Sequence, residues 1–124
     1  MKRRAEIGAG LAAVLMALAC AALAGGWATT HSLEGGAVAL TNEQANAVWA
    51  PVAVLWAFDG ATSGTVSVSR VSQGGTYLLG ADEVSNATSA VWVPEAVYPF
   101  GTGDVLRVES TATNGRVQVI RKGD

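Results

Sequence analysis

The run WAPVAVLWAF at positions 49–58 is the longest uncharged apolar stretch outside the N-terminal region, and it limits the fold more than any other part of the chain. Successive side chains of a strand point to opposite faces. One face of this run carries Val52, Val54, Trp56 and Phe58, and the other carries Ala53, Leu55 and Ala57. A strand that is apolar on both faces needs cover on both, as a central strand does. The run therefore predicts the middle of a small β domain. Its Val52–Phe58 face meets the core, and its Ala53, Leu55 and Ala57 face requires a second cover.

The rest of the chain reads as short strands separated by turn residues. Fifteen glycines, frequent Ser and Thr, and Val-rich runs favour strands over helices. Residues 37–40 form a first short strand and residues 41–46 a turn. Asp59-Gly60 and Ser63-Gly64 bracket a tight connection, after which residues 65–71 alternate with Val66 and Val68 facing in. Gln73-Gly74-Gly75 makes the next turn, residues 76–79 a strand, residues 80–83 a polar loop and residues 89–93 a further strand. Pro94 and Pro99 bar the segment between them from a central strand, and Gly101 and Gly103 turn the chain.

Asn114-Gly115 is the preferred pair for a two-residue type I′ hairpin. Counting outward from it pairs Ala112 with Val117, Ser110 with Val119 and Glu109 with Ile120. Leu106, Val108, Ala112, Val117 and Val119 then share one face, and Arg107, Glu109, Thr111, Arg116 and Gln118 the other. The predicted class is all-β: an antiparallel β-sandwich or jelly-roll-like domain of about seven strands, preceded by one N-terminal hydrophobic helix.

That helix is read from Lys2, Arg3 and Arg4, followed by an apolar tract from Ile7 to Ala28. A basic cap on such a tract directs export with the basic end inside. The small residues around Ala22 and Ala24 fit cleavage before Gly25, while about 20 apolar residues also suffice to span a bilayer with Trp27 at the outer interface, so both a signal peptide and a signal anchor stand open. Residues 1–28 form this segment, residues 29–36 a linker and residues 37–124 the β-sandwich domain. The domain is expected outside the cytoplasm, membrane-anchored through residues 7–28 if these are retained, and otherwise secreted or periplasmic. Cys20 is the only cysteine, so the chain forms no internal disulfide and rests on packing or partners.

Several chemistries are disfavoured. The chain carries a formal charge of −2, and beyond the N-terminal cluster its cations are Arg70, Arg107, Arg116, Arg121 and Lys122. They form no cluster suited to a phosphate backbone, so no nucleic-acid partner is expected. His31, the only histidine, falls in the expected linker, which leaves Ser-His catalysis and His-based metal sites without material. Asp82, Glu83, Glu95 and Asp104 read as separate turn formers. No catalytic residue, metal ligand or cofactor is assigned. Trp56 reads as core, while Trp49 and Trp92 are the tryptophans that could present a stacking or docking surface.

From Gly64 onward, the run GTVSVSRV, the strand GGTYLL and the segment FGTGDVLRV at 100–108 resemble small all-β accessory proteins of tailed-phage virions. The resemblance covers the C-terminal half, and it implies a structural or decorating role with no catalytic residues to carry over. Two roles remain open. One is a non-enzymatic structural or assembly module, displayed outside the cytoplasm or on a virion or surface assembly. The other is a membrane-tethered extracytoplasmic domain that binds a carbohydrate or protein ligand. Self-association, or a protein partner, is expected through one sheet face, with Ala53, Leu55, Ala57, Trp49 and Trp92 as interface candidates.

Overall fold

The computed structural model describes residues 26–123. Six strands make up the domain: β1 (Gly26–Ser32), β2 (Ala37–Thr41), β3 (Trp49–Ser72), β4 (Gly75–Trp92), β5 (Val105–Ser110) and β6 (Gly115–Gly123). All pairings are antiparallel, in the order β1-β6-β3-β5-β2, with β4 along the other edge of β3. The first half of β3 pairs with β6 and its second half with β5, while β4 follows both halves. The sheet thus curls over on itself into a sandwich-like body.

The curl is made at residues 58–64. Register slips there between Ala57 and Thr62 and again between Thr62 and Gly64. The local sequence, Asp59-Gly-Ala-Thr-Ser-Gly64, offers no large side chain to hold a straight strand, and an irregular register bends and twists one. The two arms of β3 enclose one core: Val54, Trp56 and Phe58 from the first arm, Val66 and Val68 from the second, Trp92 from β4, Leu106 and Val108 from β5, and Val117 and Val119 from β6. Each such side chain contributes roughly 1.5–3 kcal/mol by leaving water.

The long strands correct several expectations. Residues 59–64, expected as a tight connection, are part of β3, and residues 80–83, expected as a polar loop, are part of β4. Gly80 pairs with Val68 and lies beneath the indole of Trp92, where a Cβ would collide with Nε1, so this glycine serves packing rather than turning. Merging these pieces leaves six strands among the described residues, two of them shared by both arms of the sheet.

The expected hairpin at Asn114-Gly115 does not form. β5 pairs with β2 and β3, whereas β6 pairs with β1 and β3, so residues 111–114 carry the chain from one arm to the other. Asn114 is not left-handed, which excludes a type I′ turn. The faces hold even so: Leu106, Val108, Val117 and Val119 are buried and Ala112 packs against them. Alternation reports the face a residue takes, not its neighbouring strand. The left-handed pair occurs instead at Gln73 (φ 51°) and Gly74 (φ 83°), joining Ser72 to its partner Gly75.

A further register shift lies between Pro51 and Ala53. It turns Val52, expected in the core, to the outer face with Ala53, Leu55 and Ile120. The expected linker at 29–36 is also revised. Thr29 to Ser32 belong to β1, which pairs with β6 along its whole length, and Glu34–Gly36 is a 3-10 turn. The domain therefore includes residues 26–36, ahead of the expected boundary at Ala37, and the expected helix through Ala28 overlaps a strand at its last three residues. Its remainder lies outside the described residues, among which no helix is long and apolar enough to cross a membrane.

Candidate functional site

Both ends of β3 return to the same end of the domain, and there six side chains from distant segments form a ladder. The Arg121 guanidinium on β6 lies between two indoles, 5.2 Å from the ring centre of Trp27 on β1 and 4.9 Å from that of Trp49 on β3. Trp49 stacks on Phe100 at 4.8 Å and 5°. Arg70, near the far end of β3, continues the series, 6.0 Å from Phe100 and 5.6 Å from Tyr77 on β4. Each contact between a cation and a ring contributes about 0.5–2 kcal/mol according to its exposure. Buried Nε atoms of Arg70 and Arg121 have no hydrogen-bond partner among the described residues, so aromatic faces stand in for acceptors there.

The loop between β2 and β3 is braced against this ladder. Asn42, buried, donates through Nδ2 to the carbonyls of Ala47 (2.9 Å) and Phe100 (2.8 Å), and its Oδ1 accepts from the Gln44 amide. Thr102 Oγ1 donates to the Gln44 carbonyl at 2.6 Å. Trp27, Trp49 and Arg121 together with this loop line a cleft of about 580 Å³, its outer wall formed by Glu43, Gln44 and Asn46.

His31 is not the solvated linker residue expected of it. It sits on β1 opposite Val117, half-buried, with Nε2 2.8 Å from Thr29 Oγ1, which also accepts from Arg121 Nη2 at 3.0 Å. A neutral imidazole accepting the Thr29 hydroxyl proton satisfies all three groups. Burial, and secondly the charge of Arg121, hold the His31 pKa below its ordinary 6.5. A folded-state pKa below the unfolded one means that the unfolded chain binds the extra proton, so stability present above that range falls as pH drops through it. His31→Gln is expected to flatten the loss of melting temperature between about pH 8 and pH 5. An unchanged slope in the variant would assign the loss to other groups.

The expected interface residues separate into two sets. Ala53 is fully buried with Ile120 in a small outer cluster that Val52 and Leu55 complete. Leu55, half-buried, and Ala57, exposed, line a shallow groove with Thr30, Ser89, Arg116 and Gln118. Trp49 and Trp92, expected as exposed candidates, are instead 7% and 6% accessible and belong to the core. The exposed tryptophan is Trp27, at 39%. Of the carboxylates, Asp104 accepts from Ser72 Oγ (2.6 Å) and from the Gly101 amide (2.9 Å), closing its turn. Asp82 and Glu83 lie within β4, opposite Val66 and Thr65. Among the described residues no three His, Cys, Asp or Glu side chains stand close enough to hold a metal ion.

The described residues thus define a sandwich-like all-β domain closed at one end by a ladder of arginines and aromatic rings. No protein-family model matches the chain, and no curated protein does. Solved structures resemble it, one of them with a TM-score above 0.5. The core of Drosophila NLP superposes with a TM-score of 0.51 at 10% identity, over 80% of this chain and 97% of that one. The nucleoplasmin-like N-terminal domain of Drosophila FKBP39 reaches 0.47 at 11% identity, over 81% and 89%. A Bacillus endospore appendage protein, which forms disulfide-linked pili, reaches 0.41 at 16% identity, over 78% and 83%.

Proposed function

We propose that the protein is a non-catalytic assembly module, exported and held outside the cytoplasm, whose domain self-associates through the outer face of β3 and β6. The observation that carries this reading is the partly exposed apolar strip of Val52, Leu55 and Ala57 beside the buried Ala53 and Ile120. The within-chain alternative, in which residues 37–50 fold back over Leu55, loses its material: β2 lies on the other arm against β5, and the 42–48 loop lies beside Trp27. Pentamer formation is described for the NLP core, which this domain resembles in fold, and that supports self-association for a domain of this shape. A decorating part of a virion or cell surface is a role that suits such a module. The alternative role, a tethered binding domain, draws its support from the braced cleft beside Trp27.

Sedimentation of the full chain in mild detergent tests the reading. Wild type is expected to sediment as an oligomer, and Leu55→Glu as a folded monomer with an unchanged near-ultraviolet spectrum, since the carboxylate then meets water. A wild-type monomer at high concentration would refute self-association.

A further inference from the structure

The domain has two unlike ends. Gly26, the 41–48 loop, the 72–75 turn, residues 93–104 and Gly123 gather at one end. This follows from the pairing of Gly26 with Lys122 and of Trp49 with Gly123 and Phe100, and from the Arg70 contacts with Tyr77 and Phe100. The bend at 58–64 and the 111–114 crossing form the other end, where Asp59, Gly60, Ala61, Ser63, Thr111, Thr113 and Asn114 are exposed. All the exposed large apolar side chains of the described residues, Trp27, Val48, Tyr77, Leu78, Val93 and Val97, lie toward the first end. Val97 is 80% accessible. Val93 and Val97 border a groove with Val52, Lys122 and Gly123, while Trp27 and Val48 border the cleft on the other side of Gly123.

We infer that this end lies on the outer surface of a lipid bilayer, an inference that rests on the reading of the N-terminal tract as a retained anchor. What selects a bilayer as the occupant is the short sequence distance between the apolar tract and a strand already paired at Gly26. The apolar tract of residues 7–25 leads straight into β1 at Gly26, whose neighbour is Lys122, and the expected spacer at 29–36 is strand and turn. One residue of extended chain reaches no more than about 3.6 Å, so a tract that spans the membrane leaves no slack to lift this end away from the headgroups. The chemistry of the rim agrees. Val93 and Val97 present aliphatic groups for shallow insertion, and Trp27 and Tyr77 have the amphipathic rings favoured at that depth. The exposed charges nearby, Lys122 against Glu43 and Glu95, leave a net −1, so insertion rather than attraction to anionic lipid is the driving term.

The test places the full chain, with Cys20→Ser, in phosphatidylcholine vesicles and reads an environment-sensitive NBD label at Val97→Cys or, at the far end, Thr113→Cys. Both positions are exposed, so labelling leaves the core intact. After a carbonate wash the protein is expected to float with the vesicles. The label at 97 should then show blue-shifted emission and several-fold weaker quenching by iodide than the label at 113. Protein washed off the vesicles overturns the anchored reading and this inference with it. Retained protein whose two labels are quenched alike overturns the inference alone.

Discussion

Replacing Trp49 with alanine is expected to lower the stability of the domain by about 3–5 kcal/mol, the range for truncating a large buried aromatic side chain. Trp49 is the middle of the ladder, with Phe100 stacked on one side and Arg121 held over its ring. Its backbone also exchanges two hydrogen bonds with Phe100, at 2.8 and 3.2 Å, tying the start of β3 to the segment before β5. Truncation leaves the Arg121 guanidinium against Trp27 alone and opens a void beside Phe100. A domain of this size commonly has a total stability of about 5–15 kcal/mol, and this one has no disulfide to limit its unfolded state. The melting temperature should fall by on the order of 20 °C. Trp49→Phe, which retains a ring to stack, should lose well under half of that. A change of only a degree or two in Trp49→Ala would show that the ladder is energetically idle.

Gly115→Ala is expected to be the most damaging small substitution, at about 2–4 kcal/mol. Gly115 opens β6 opposite Phe58 with a φ of 135°, a region closed to residues with a Cβ. A methyl group there would press into the carbonyl oxygen of Ala57 and lie 3.0 Å from the Phe58 Cα, and both are backbone atoms that cannot swing aside. The Gly115 carbonyl also accepts from the Leu33 amide at 3.0 Å, which fixes the entry to the 3-10 turn. Gly35→Ala separates the two causes, because Gly35 has a φ of 79° but open space around its Cβ position. It should lose only the conformational part, about 1–2 kcal/mol. Equal melting temperatures for the two variants would mean that the contact with Ala57 relaxes freely.

Local chemistry was enough to read the class of fold, the burial of Val54, Trp56 and Phe58, the inward face of β5 and β6, and the turn at Gln73-Gly74. Each of these depends on a period of two or on a left-handed backbone, and both are written in adjacent residues. The apolar strip on the second face of β3 was legible for the same reason, apart from Val52, which an irregular register moved to the outer side.

Three features depended on the tertiary structure. Asn114-Gly115 has the composition of a tight hairpin, yet the chain crosses between the arms there, because β3 offers edges to both β5 and β6. Gly60, Gly64 and Gly80 look like breaks between strands, and in a curled sheet they are where one strand bends or an indole lies on the backbone. The ladder had no local signal at all. Arg70 and Arg121 read as scattered cations and Trp27 as part of an apolar tract, and only the pairing of β1 with β6, together with the return of β3 on itself, sets them in one series. Faces are set by neighbours in sequence. Partners are set by which edges remain open once the whole chain has folded.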